Sequence, residues 1–456
     1  MLKKCLMTAA LVVAVTGAGS AQNASTVISD ASKAIGAGAV KTLRYSGPAA
    51  EYSFGQPYTN GGPWPVWKNK TYTRTVDFEA RAIKIDRVAE PRDWQRRGGG
   101  LQPGATQTIM VQANTAPAQQ APILLSPYAA LKEAAANNAT VKSEMVGGKR
   151  HNVLTYTGPN KAKVNVHVDD KNMVDHVETW FDNAVSGATL IAANYGDYKD
   201  FGGVKVPLRI VEKQGGFPTL ELTVTDVKVN EPANIQAPQA GGGGAGAGGG
   251  RPVTATSRKL GDGVYLILPA YASIAVDFKD YIVVVEAGNS ETRANAIIEE
   301  VKKVIPNKPI RYVVNTHSHF DHLSGLRRFV AEGATILTHE KNKSYLEKLL
   351  GQPHTLNPDK QEQVKAKINI ETMGDKKVLT DGTHVIELYR RQDNLHHEGE
   401  IVAYLPNEKV LLEADGFLPP AQADATTPNP LDPNHLLNDI KQLKLNVDAI
   451  VPVHYP

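Results

Sequence analysis

The chain has 456 residues, with 50 Lys and Arg against 47 Asp and Glu, 13 His and a single Cys. This near-neutral balance gives no electrostatic footing for nucleic acid, and one cysteine excludes both a disulfide framework and a thiolate-built metal site. The length calls for two domains or more.

Residues 1–21 read as a secretory signal peptide: Lys3 and Lys4, then the apolar run Leu6–Val15, then the small residues Gly19, Ser20 and Ala21. The apolar run is too short for a membrane span, so the mature chain is expected in the bacterial periplasm or secreted, and not integral to a membrane. Cys5 lies inside this leader, which leaves the mature chain without a thiol.

Residues 22–238 read as a β-rich accessory domain. A helix is expected over Val27–Ile35, strands over Thr42–Tyr45 and Thr71–Asp77, and a short helix over Ala129–Ala136 with Pro127 at its start. Residues 98–125, rich in Gly, Pro, Gln and Ala, are expected to be a disordered insertion. Alternating apolar residues then mark strands at Lys163–Asp169, Val174–Phe181, Leu208–Glu212 and Leu220–Val227, an antiparallel meander with one buried face. The stretch Tyr195–Pro207, with that strand rhythm, weakly resembles bacterial lipoprotein-carrier half-barrels, which implies a groove able to hold lipid or acyl groups. The plainer reading is a domain that orients or stabilises its partner. No catalytic constellation is visible in residues 22–240, and His151, His167 and His176 read as surface or structural.

Residues 239–252 are a Gly-rich linker with nothing to bury. Residues 253–456 turn to α/β rhythm. Strands are expected at Val264–Leu268, Ser273–Phe278 and Tyr281–Val285, then a helix over Thr292–Val304 with Ile297, Ile298, Val301 and Val304 inward. Ile310–Asn315 reads as a buried strand that ends at Thr316-His317-Ser318-His319-Phe320-Asp321-His322. After that run, Leu323, Leu326, Phe329 and Val330 recur at helical spacing up to Gly333. Three imidazoles and a carboxylate at the carboxyl end of a strand are a metal-binding set, because these groups suit borderline divalent ions.

The pattern His317-x-His319-x-Asp321-His322 resembles the signature of the metallo-β-lactamase superfamily, over roughly residues 255–456. Further motifs follow in the family's order: His396 three residues before Gly399, the strand Lys409–Ala414 leading to Asp415, and Ile450–Val453 leading to His454. The resemblance implies an αββα sandwich. It also implies two metal ions, with His317, His319 and His396 on one, Asp321, His322 and His454 on the other, and Asp415 bridging. Two Zn2+ are the expected cofactor, with iron or manganese as alternatives.

Two cations sharing a water bring its pKa towards neutrality and polarise a carbonyl or phosphoryl oxygen. Asp321 would orient the nucleophile. The implied activity is hydrolysis of a small-molecule ester, lactone, thioester or amide, β-lactams included. The alternatives are an iron-dependent oxidoreductase on the same fold, or an envelope lipid or lipoprotein-binding protein with a non-catalytic metal domain.

Three positions depart from the family pattern: Glu286 replaces a usual Asp, Ala414 a usual Gly, and His397 a usual Thr. His339, His354, His384 and His435 read as structural or surface residues, with His435 placed where it could line a cleft.

Overall fold

The computed structural model describes residues 23–91, 106–112, 120–158, 161, 163–235, 253–416 and 433–454. The leader and the glycine linker lie outside these residues. Among the described residues no helix is long and apolar enough to cross a membrane.

Among the described residues the N-terminal unit is built on one 13-stranded antiparallel sheet. A meander runs from Thr140–Val146 through Lys149–Thr157, Lys163–Val168, Val174–Asn183, Gly187–Asp200 and Lys205–Gln214 to Phe217–Thr223. The sheet continues through Ala49–Tyr52, Val66–Asp77, Thr42–Ser46 and Asp226–Val229, with Ala82–Pro91 and Thr106–Val111 branching from Val66–Asp77. Helices Ala24–Ile35 and Pro127–Ala136 cover one face, where Ile35, Leu131, Leu154, Val166, Val177 and Leu222 form a common core.

Two expectations are corrected here. Within residues 98–125, Thr106–Val111 is a strand paired with Ala82–Pro91, and Ala121–Leu124 is a helical turn with Ile123, Leu124 and Leu125 buried. The run Leu220–Val227 is two strands. Phe217–Thr223 pairs with Lys205–Gln214, whereas Asp226–Val229 pairs with Thr42–Ser46. The apolar positions Leu220, Leu222 and Val224 give way to Val227 and Val229, a slip of one position in the alternation that marks the change of neighbour.

Among its described residues the C-terminal unit has two sheets. The first runs in chain order from Thr256–Gly261 through Val264–Leu268, Ser273–Asp277, Ile282–Val285, Ile310–Val314 and Thr335–His339 to Ile370–Met373, antiparallel at first and parallel from Ile282–Val285 onward. The second comprises Lys376–Thr380, Val385–Arg390, Ile401–Leu405, Val410–Glu413 and Ala449–Pro452. Strand alternation divides the buried residues between layers. Val283 and Val285 face the second sheet and meet Ile386, Leu388 and Ile401, while Ile282 and Val284 face the helices and meet Ile297, Val301 and Phe329. On the far side, Tyr389, Val402 and Leu411 pack against Leu436 of the helix Pro433–Gln442. These layers make the αββα sandwich.

The two units interlock. Val185, at the tip of the turn between Val174–Asn183 and Gly187–Asp200, is buried in the helix-side core of the C-terminal unit. Beside it, Ala188 N–H donates to the Pro353 carbonyl at 3.3 Å and His354 Nδ1 lies 3.3 Å from Asp182. A second contact, the excursion of residues 53–65 between Ala49–Tyr52 and Val66–Asp77, reaches the loop of His317–His322.

Candidate metal centre

The strand Ile310–Val314 delivers the motif, and Asn315 folds it. The wholly buried Asn315 amide donates to the carbonyls of His317 at 2.7 Å and His322 at 3.2 Å, drawing the loop into a turn. His317, His319 and His322 are buried as a result.

All seven residues expected as ligands converge. Ligand atoms of His317, His319 and His396 lie within 4.8 Å of one another, as do those of His317, His322 and Asp415, and those of Asp321, His322 and His454. Nε2 of His317 and Nε2 of His396 face each other at 3.3 Å. Asp415 sits between the groups: Oδ2 is 3.3 Å from His317, 3.4 Å from His396 and 2.9 Å from His322, while Oδ1 is 3.1 Å from His454. Ligands at zinc distances in a tetrahedron stand roughly 3.3 Å apart. His319 Nδ1 is buried without a hydrogen-bond partner, and His322 Nε2 and His454 Nε2 meet only the carboxylates of the cluster. Buried polar atoms so placed are costly unless a cation takes them up, so the residues fit bound metal.

The outer contacts set which nitrogen each ring offers. Glu286 accepts His322 Nδ1–H at 2.8 Å with one oxygen and Thr316 N–H at 2.8 Å with the other. The Pro57 carbonyl accepts His319 Nε2–H at 2.9 Å, leaving Nδ1 free. His397 does not join the ligands. Its Nδ1 accepts Gly399 N–H at 3.0 Å, so its Nε2–H turns to the Ser318 hydroxyl at 2.8 Å.

Burial and the neighbouring imidazoles push His317 well below the ordinary histidine range, and burial takes His319 down to about 3. Both are therefore neutral, the form that binds metal. Burial works against charge on His322 too, but Asp321, Glu286 and Asp415 hold it well above that range. The second group thus presents a negative field that a cation would satisfy.

Three neighbours were not foreseen from sequence. Gln56 donates to Asp321 Oδ1 at 2.8 Å, and the Tyr271 hydroxyl donates to Asp321 Oδ2 at 3.2 Å. Asn60 accepts the Ser318 hydroxyl and donates to Asn342 Oδ1 at 3.0 Å. Gln56, Pro57 and Asn60 come from the N-terminal unit, some 260 residues away, and no local signal marks them. His435 lies 2.7 Å from Asp393, outside the ligand groups.

Buried, tautomer-fixed imidazoles around a shared carboxylate, at the strand ends of an αββα sandwich, are a set of groups that could hold metal. Residues 270–454 match the sequence model described as the Metallo-beta-lactamase superfamily, and the C-terminal unit is a domain of that superfamily. Similar solved structures include a metallo-β-lactamase from Pontibacter korlensis at 17% identity, with 44% of this chain and 92% of that one covered and a TM-score of 0.33. Another is the metallo-β-lactamase FIM-1 from Pseudomonas aeruginosa in its mono-zinc form, at 19% identity, with 45% and 89% covered and a TM-score of 0.33. No curated protein matches the sequence. Membership indicates hydrolytic chemistry, although the superfamily also contains non-hydrolytic members.

Proposed function

We propose that the protein is a two-metal hydrolase, with zinc as its ion, acting on an ester, lactone, thioester or amide in the periplasm or outside the cell. The observation that carries this reading is Asp415, whose two oxygens face His317, His396 and His322 on one side and His454 on the other. His317, His319 and His396 would hold one ion, and Asp321, His322 and His454 the other. Bound there, the ions would supply an acidified water and a polarised substrate carbonyl.

The protein's own groups do the rest. Gln56 and Tyr271 each give a hydrogen bond to Asp321, which fixes the carboxylate plane and keeps it an acceptor. Asp321 can therefore orient the attacking water and take its proton. Burial, with Asp321 and Asp415 beside it, pushes the Tyr271 phenol far up, so it stays a donor across the working range. The ring of Tyr271 lies 4.8 Å from that of His454 and walls this side of the centre.

Metal counting on the purified full chain, joined to a panel of ester, lactone, thioester, β-lactam and phosphodiester substrates, tests the reading. Chelator-sensitive turnover with two zinc ions in the C-terminal unit is expected. A single iron with no zinc and an inert panel would overturn it in favour of redox chemistry.

A further inference from the structure

The outer face of the N-terminal sheet carries a second group of ligand-capable side chains. Its geometry follows from strand register. His167 and His176 are direct cross-strand partners on Lys163–Val168 and Val174–Asn183. Glu178 lies two residues beyond His176, so it points to the same side. One ligand atom from each of His167, His176 and Glu178 falls within 4.8 Å of the others, with His176 Nε2 at 3.3 Å and His167 Nε2 at 3.8 Å from the Glu178 carboxylate.

The surroundings hold each donor in place. Asn194, the cross-strand partner of His176, lies 2.9 Å from its Nδ1, which turns Nε2 to Glu178 Oε2 at 3.3 Å. Along the adjacent row, Thr155 donates to Asn165 at 2.9 Å and Asn165 donates to Glu178 Oε1 at 2.7 Å. His167 is the least satisfied member. Its side chain is only 10% exposed, yet neither ring nitrogen has a hydrogen-bond partner. One divalent cation would serve all three groups.

We propose that His167, His176 and Glu178 form a separate binding site for a zinc-type divalent cation, with Asn194 and Asn165 as its positioning residues. The ligand spacing suits a tetrahedral ion at about 2 Å from each donor. The side chains of His176 and Glu178, 24% and 19% exposed, leave room for water in the remaining position. An ion here would staple the two strands beside the register shift that follows His167.

The test uses the full chain carrying His317→Ala and Asp415→Ala, stripped of metal and titrated with Zn2+ against a chromophoric chelator. One tightly held ion per chain is expected. It should vanish when His167→Gln and His176→Gln are added, and weaken about 10–100-fold with Asn194→Leu. No ion in the first background, or an ion that survives His167→Gln/His176→Gln, would overturn the site. If the background variant does not fold, the comparison is made between the unaltered chain and His167→Gln/His176→Gln, with circular dichroism as the folding control. A loss of one ion with turnover retained supports the proposal, and equal ion counts refute it.

Discussion

Glu286 illustrates how one residue outside the ligand set can govern the centre. It is wholly buried, and its backbone sits at φ 70°, a region costing a non-glycine residue about 1–3 kcal/mol unless its surroundings enforce it. Both its oxygens accept, one from Thr316 N–H and one from His322 Nδ1–H. In Glu286→Gln one of these donors meets an amide NH2. If it is His322, the ring must shift its proton to Nε2 and lose its ligand atom. Zinc affinity at the group containing His322 should fall about 10–100-fold while the fold persists. Chelator competition measures this, and unchanged affinity would show that Glu286 is only structural. The pair His396 and His397 gives a second prediction. His396→Ala removes a nitrogen that faces His317 at 3.3 Å and should reduce bound metal. His397→Ala removes only a link between Gly399 and Ser318, so metal should stay and turnover should fall. Equal metal loss in both variants would contradict this assignment.

At the scale of elements, the metal loop was legible because its ligands are contiguous and follow an apolar strand. His396, Asp415 and His454 were legible because each ends a strand or opens a turn in the family's order. Residues 53–65 were not legible. Their polar and glycine content reads as an ordinary turn, and their partners lie far away in the chain. Gly55 shows the closeness of the fit: at φ 75° it approaches Phe320 so tightly that a Cβ would stand 2.4 Å from the ring. Gly55→Ala therefore combines backbone strain with displacement of the residue next to Asp321. Gln56→Ala is the gentler probe, since it deletes one charge-assisted hydrogen bond worth about 1.5–3 kcal/mol. It should lower kcat about tenfold or more with metal content unchanged, and Gly55→Ala should lower both. Full turnover in Gln56→Ala would show that Asp321 needs no help from the N-terminal unit.

For the whole molecule, the outer contacts decide whether the glycine linker matters to activity. The N-terminal unit supplies the Pro57 carbonyl to His319, Gln56 to Asp321, Asn60 to Ser318 and Asn342, and Val185 to the helix-side core. The Tyr58 carbonyl also accepts Glu398 N–H at 2.9 Å, next to the loop of His396 and His397. These contacts include a buried apolar anchor and several directional bonds, so they can hold the units together without a covalent tether. A protease site placed within residues 241–250 should thus yield two fragments that elute together and keep turnover after cleavage. Dissociating conditions that separate the fragments should abolish turnover, because His319 loses the acceptor that fixes its tautomer and Asp321 loses Gln56. Recombination should restore it in proportion to the complex re-formed. Co-elution by size-exclusion chromatography, with activity followed across the peak, measures both steps. Separated C-terminal fragment with full activity would mean that the N-terminal unit only stabilises the centre from outside. Activity lost on cleavage without dissociation would instead assign a working role to the tether itself.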